Sequence, residues 1–445
     1  MNEFDARILP PDDPQRRVLH NEVHARPSAR VRLPALITYV ALLNADVTRE
    51  QECAHLQRLP GHADLGPDRL QGNFLRLRCE GYTVKWERHT EFTRYSIVQP
   101  LPVHAGWGST LPELASHVAT GTEWLRGLPG QTVAAIHLAM LPEGMDDPAV
   151  LTQAQQWLGE GMLIGSRMGN TADGQPHSCL LSHLRIGADG FERLLVLASP
   201  DTPDGRAGRI SQRVLELETY RLMALRGLPV AKQLSSVLAE AESTLADITA
   251  RLESQQGGEQ ALLHDLVALA ARVERATAEH GYRFSATRAY DAVVRERIAE
   301  LRERPLHGTQ TVGEFMQRRL SPAIATVEAT AKRLTALSER VARTSALLRT
   351  RVDIATEAQN QQLLEKLTRG QDLQLRLQST VEGLSIAAIS YYVVSLLLYG
   401  AKALKLAGVP IQPELAAGLM IPLVLWGVWK TVQRIHDKLH RDSGH

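Results

Sequence analysis

Hydrophobic and polar positions divide this chain into three textures. Over the first two hundred residues, short β-rich runs alternate with turn signals. Residues 35–43, 74–79, 82–89, 92–98, 133–140, 179–186 and 191–198 read as strands. Gly187-Ala188-Asp189-Gly190 is a good hairpin signal joining the last two runs. Helical periodicity at 48–59, 111–125 and 149–158 separates other runs. Helices among strands predict an α/β domain over residues 1–200, its sheet covered on one or both faces. The pattern does not give the strand order.

From Ala207 onwards the helical period continues without strands. Segments 207–226, 230–254, 260–280 and 284–304 are punctuated by Gly257-Gly258, Gly281 and Pro305. After Gly308 and Pro322 no strong breaker appears for about eighty residues. Gly370 and Gly383 lie inside that run, each costing about 1 kcal/mol relative to alanine. A single helix from Pro322 to Ala401 would be about 120 Å long. Leu334, Val341, Leu348 and Ala355 repeat every seven residues, with Leu337 offset by three. A helix that long needs partners, supplied by the preceding helices, by other copies of the chain, or by both. Residues 201–380 therefore read as a helical stalk domain with coiled-coil character.

The third texture is apolar. Stretches 384–401 and 415–429 carry no charge, and thirteen residues separate them. About eighteen helical residues span about 27 Å, close to the thickness of a bilayer's hydrocarbon core. Eight Leu, Ile and Val residues in the first stretch favour insertion by roughly 2.5–5 kcal/mol together. The second reaches only about 22 Å and contains Pro422, so tilt or bilayer thinning must close the gap. Trp426, Trp429 and Tyr399 suit interfacial belts. Residues 381–431 thus read as a two-helix transmembrane hairpin, followed by a basic tail at 432–445.

Charge then orients the hairpin. Lys366, Arg369 and Arg376 precede the first stretch, and Lys430, Arg434, Lys438 and Arg441 follow the second. The loop holds only Lys402 and Lys405. That bias places both flanks, both termini and the large body in the cytosol. No apolar h-region opens the chain. Cys53, Cys79 and Cys179 are odd in number and far apart, which indicates neither a disulfide framework nor a thiolate zinc site. A net charge of +1 over 445 residues offers no electrostatic case for nucleic acid.

Several runs resemble an uncharacterised bacterial family of membrane-anchored proteins, domain of unknown function 3422. They are Leu19-His20-Asn21-Glu22-Val23-His24-Ala25-Arg26-Pro27, Trp86-Glu87-Arg88-His89-Thr90-Glu91-Phe92 and Leu215-Glu216-Leu217-Glu218-Thr219-Tyr220-Arg221. Leu348-Arg349-Thr350-Arg351-Val352-Asp353-Ile354 and Thr380-Val381-Glu382-Gly383-Leu384-Ser385 continue the likeness. The resemblance implies attachment to the inner (cytoplasmic) membrane and no particular activity. The layout is also similar, loosely, to CorA-type divalent-cation channels, which close their first span with Tyr-Gly-Met-Asn. Tyr399-Gly400-Ala401-Lys402 stands at that place here. Only Tyr399 and Gly400 match, and Lys402 would repel a dication.

Three groups of residues are candidates for chemistry. On a strand, Glu87, His89 and Glu91 would share one face, and His20, Glu22 and His24 show the same alternation. If the two segments meet, these six could ligate a divalent cation or form a proton-transfer pair. They could equally form a buried ion-pair network with Arg26 or Arg88 as counter-ions. Glu216, Glu218, Tyr220 and Arg221 form the second group, with a local Glu218–Arg221 ion pair expected from their spacing. Residues 161–169 hold three glycines without a phosphate-loop spacing and read as strand and turn. Ala388, Tyr391, Ser395, Tyr399 and Gly400 form a smaller, more polar stripe on the first apolar helix, either a packing face or a pore face.

The sequence therefore predicts a membrane-anchored, cytosol-facing, oligomeric protein of sensor or scaffold type, with no assigned reaction. A divergent CorA-like channel is the alternative, and a membrane-tethered metal-dependent hydrolase the second. Its expected partners are the lipid bilayer and further copies of itself, joined through the long helix and first span. The sequence leaves the cofactor unknown, and a divalent cation is one that its candidate ligands could hold.

Overall fold

The computed structural model describes residues 13–17, 19–20, 29–144, 149–169, 174–254, 258–407, 410 and 412–442, with side chains as far as Arg434. Packing groups the chain into two units, Met1–Thr344 and Ser345–His445.

The first unit is built on a nine-stranded mixed sheet ordered β2-β3-β4-β1-β5-β8-β7-β6-β9. Its strands are β1 (Ala35–Leu43), β2 (Phe74–Cys79), β3 (Tyr82–Arg88), β4 (Phe92–Pro100), β5 (Gln131–Leu141), β6 (Ile164–Met168), β7 (Ser178–Ile186), β8 (Glu192–Ala198) and β9 (Arg304–Pro305). All pairings are antiparallel except β5 with β8. Strand parity sorts the side chains onto two faces. Ile37, Tyr39 and Ala41 of β1 join one core, with Ile136, Leu138 and Val196. Leu36 joins a core with Ala139 and Leu195 on the other face, and Val40 and Leu42 join one with Val84, Trp86 and Ile97.

Helices cover both faces. The short ones are α1 (Arg49–Leu56), α2 (Thr122–Arg126) and α3 (Val150–Leu158). Leu56 and Trp124 pack over β3 and β4, while Trp157 packs over β5, β7 and β8. On the opposite face lie α4 (Asp204–Leu225) and α6 (Glu259–Leu301), which contribute Val214, Leu217 and Val294 to the core shared with β1. The change of texture near residue 200 is thus no break in packing, because α4 lies directly on the sheet. The unit also contains α5 (Gly227–Glu253) and α7 (Val312–Arg319).

Local chemistry sets the boundaries. Thr48 and Thr311 each form a reciprocal capping box, with Gln51 and Glu314 respectively. Pro305 falls in the two-residue edge strand β9, where a missing N–H is tolerated. Two sequence expectations fail. Residues 111–125 hold only a turn of 3-10 helix and α2, because Leu111 and Gly121 adopt positive φ and Pro112 follows Leu111. Gly281 does not divide α6, which runs unbroken through it. One glycine costs about 1 kcal/mol, and burial of Leu269, Val273 and Phe284 on either side outweighs it.

Helix α8 (Ser321–Leu406) is continuous, with Pro322 in its first turn where the missing N–H costs nothing. Within the first unit the seven-residue repeat is used: Leu334, Leu337 and Val341 are buried, and Arg333 pairs with Glu242 of α5 at 2.9 Å. The second unit holds the rest of α8 and α9 (Pro413–Asp442). Both helices contain windows long and apolar enough to cross a membrane, and only 6% and 11% of those windows are buried.

Candidate functional site

Two of the motifs picked out in the sequence meet at the turn between β3 and β4. Glu87 lies directly opposite Arg94 across the two strands. It pairs with Arg94 and with Lys85, the latter at 3.1 Å. Arg94 reaches on to Glu216 of α4 at 3.2 Å, and Glu216 accepts from Nε of Arg297 on α6 at 2.8 Å. Glu300 closes the line, 2.9 Å from Arg297 and 3.3 Å from Arg213. Burial alone would raise the Glu87 carboxyl; the Arg94 and Lys85 charges reverse that and hold it below its usual range. A chain of alternating charges therefore fastens the sheet to the helices that cover it.

Strand alternation stops at Arg88. His89 N–H donates to Phe92 C=O at 2.8 Å, closing a tight turn over Thr90 and Glu91. Glu87, His89 and Glu91 accordingly have separate surroundings. Glu91 is taken by α6, where it pairs with Arg283 and accepts from the Tyr290 hydroxyl at 2.7 Å. His89 stacks on Phe92, ring centres 4.5 Å apart. Arg88 pairs with Glu52 of α1 at 2.7 Å and not with Glu87. His20 is exposed, and Glu22 and His24 lie outside the described residues. Among the described residues, no group of three or more His, Cys, Asp or Glu side chains is placed to hold a metal ion.

His89 lines a cleft of about 520 Å³, together with Arg49, Asn73, Arg88, Tyr220 and Tyr290. Arg49 donates to Asn73 Oδ1 at 2.7 Å, and Arg88 to the Val47 carbonyl at 2.8 Å. Tyr220 and Tyr290 stack 5.7 Å apart. Burial, and then the bond to Glu91, push the Tyr290 hydroxyl well above its ordinary pKa. The two arginines give this polar cleft a positive lining, suited to holding a small polar or anionic molecule. Sequence reasoning named His89 and Tyr220 but missed Arg94, Arg283 and Tyr290. A two-residue turn at Thr90–Glu91 was the available signal for Arg94, since it sets Glu87 against Arg94. Nothing local signals the α6 partners.

The second motif supplies another ion cluster. Arg221 pairs with Glu218 three residues earlier, as its spacing implies, and approaches Glu192 of β8 at 3.6 Å. Burial, and then the neighbouring Glu218, push the Glu192 carboxyl well above the ordinary range.

In the second unit, Tyr391 and Tyr399 are about 70% exposed. Ala388 is exposed too, and Ser395 is half-buried. Gly400 borders an almost wholly apolar groove of about 560 Å³ between α8 and α9, with Val393, Leu397, Ala417 and Met420. Lys402 sits over the Tyr399 ring, and Lys430 over Trp426.

A family model described as "Protein of unknown function (DUF3422)" matches residues 11–439. No curated protein matches the chain, and no solved structure does. None of these comparisons supports the likeness to CorA-type channels.

Proposed function

The chain belongs to the DUF3422 family, whose function is unknown, and on that footing we propose that it is an integral membrane protein of sensor or scaffold type. Its two apolar helices span the cytoplasmic membrane, and its sheet-bearing unit and both termini face the cytosol. The observation that carries this reading is the exposure of the apolar helices. Leu396 and Leu419 are 77% and 78% exposed, and Leu384, Leu415, Leu423 and Trp426 all exceed 50%. Burying one such side chain is worth about 1.5–3 kcal/mol, so a bilayer rather than water is the solvent that suits this surface. The seven basic residues flanking the pair, against two in the loop, support the cytosolic placement.

Copies of the chain associate in parallel through α8. Support comes from a seam that alternates at four and three residues: Leu363, Leu367, Gly370, Gln374, Leu377, Val381 and Leu384. Charged Glu365, Arg369, Asp372 and Arg376 lie off that seam, and Glu365 pairs with Arg369 on its own helix at 3.1 Å. The cleft at the β3–β4 turn, tied by ion pairs to α4 and α6, is the ligand-sensing element of this reading.

Single cysteines test the proposal. Ala407→Cys in the loop is expected to react with a membrane-impermeant maleimide in intact cells, and Ser443→Cys only after permeabilisation. Gln374→Cys is expected to crosslink between copies, and Asp372→Cys is not. Labelling of Ser443→Cys in intact cells overturns the orientation. Equal crosslinking at residues 372 and 374 overturns the seam.

A further inference from the structure

A second cavity of the first unit, about 340 Å³, lies between the end of β7, α4 and α7. Its floor is apolar: Ile164, Met316 and Leu320 are buried there, and Leu225 and Phe315 half-buried. Its rim is cationic, formed by Arg185, Arg221 and Arg319, with His183 beside them. Among the described residues no acidic side chain lines it. Arg221 is balanced from behind by Glu218. Arg185 and Arg319 are exposed and form no ion pair among the described residues. Their two charges therefore stand uncompensated above an apolar floor.

The backbone is bent to make this arrangement. Pairing of β7 with β8 slips between Ser182 and Ile186, and Leu184 adopts φ +48° with its N–H held by Ser182 Oγ at 2.9 Å. A bulky residue in the left-handed region is strained and persists only where surrounding packing over-determines it. The bulge brings His183, Leu184 and Arg185 to the cavity wall together.

We propose that this cavity binds a small amphipathic anion: an aliphatic carboxylate whose head lies among Arg185, Arg221 and Arg319 and whose chain covers Ile164, Phe315, Met316 and Leu320. Planar guanidinium forks match a carboxylate in two-point contact, which a lysine rim would not offer. The space, about 340 Å³ and lined by five apolar side chains of the floor, suits a medium-length aliphatic chain, of which octanoate is a soluble example. The proposal does not depend on where the apolar helices reside.

Isothermal titration of sodium octanoate into the full-length protein in phosphatidylcholine nanodiscs, against empty nanodiscs, tests it. Saturable one-to-one binding is expected. Arg319→Gln and Arg185→Gln should each weaken it about tenfold or more. Because both side chains are exposed and unpaired, these variants should keep the wild-type unfolding midpoint. Octanol, which lacks the charge, and acetate, which lacks the chain, should each bind at least about tenfold more weakly. Heats equal to those of empty nanodiscs overturn the proposal, as does octanol binding as tightly as octanoate. Octanoate affinity unchanged in both variants, or inorganic phosphate binding more tightly than octanoate, overturns it equally.

Discussion

Replacing Arg94 by methionine removes the cation that Glu87 and Glu216 share. The Arg94 side chain is 4% exposed, and its partners are 1% and 7% exposed. Breaking a buried ion pair from one side costs about 3–5 kcal/mol, because a charge is left behind without its counter-ion. Glu87 keeps Lys85 and Glu216 keeps Arg297, so the lower end, about 3 kcal/mol, applies. Trp86, one of six tryptophans, is fully buried beside Glu87 and opposite Tyr95, so it contributes to the fluorescence change that reports unfolding. With a urea dependence of about 3 kcal/mol/M, the unfolding midpoint of the solubilised protein should fall by about 1 M. The double variant Arg94→Met, Glu216→Gln should recover most of that loss, since Glu87 then keeps Lys85 and Arg297 keeps Glu300. Arg126→Ala, at the exposed Arg126–Glu123 pair, should leave the midpoint in place. An unchanged midpoint in Arg94→Met, or a double variant weaker than the single, refutes the account of how sheet and helices are held.

Other perturbations probe the same unit. His137 is fully buried, 3.1 Å from Thr38 Oγ1 and stacked on Phe191, and burial pushes its pKa down to about 4. An unfolded histidine titrates near 6.5, so the unfolded chain binds the extra proton first as pH falls. The stability contributed by neutral His137 is complete above about 6.5 and is lost towards pH 4. Between pH 6.5 and 5 that amounts to about 2 kcal/mol, and His137→Asn should flatten the fall in urea midpoint over this range. Gly208 of α4 lies under the backbone of Ala29, where an added Cβ would come within 1.6 Å of the carbonyl oxygen. Gly208→Ala should cost about 1–3 kcal/mol, with faster tryptic cleavage at Arg30 and Arg32; wild-type cleavage rates would contradict the packing.

Strands were legible because a sheet covered on both faces leaves short, nearly continuous runs of apolar, β-branched and aromatic residues. The run 35–43 coincides with β1, and 74–79 with β2. The strand order was not legible, since β1 lies between β4 and β5 through pairings remote in sequence. Parity also misled at one place. Carried beyond Arg88, it set His89 and Glu91 beside Glu87, whereas the turn gives each residue its own neighbours. The Glu218–Arg221 pair was readable because both partners lie on one helix turn. The partnerships of Glu87 with Glu216 through Arg94, and of Glu91 with Tyr290, join residues more than a hundred positions apart. The arginine-rimmed cavity was invisible for the same reason. Its walls come from β7, α4 and α7, and Leu184 carries no local mark of its left-handed backbone. The apolar helices were the plainest feature of all, because length and absence of charge are local properties.

Whether residues 384–429 lie in a bilayer is decided by alkaline carbonate extraction of cell membranes. The intact chain is expected to stay in the sedimented membranes and to be released only by detergent. Recovery of undegraded, monodisperse protein in the carbonate supernatant would contradict it.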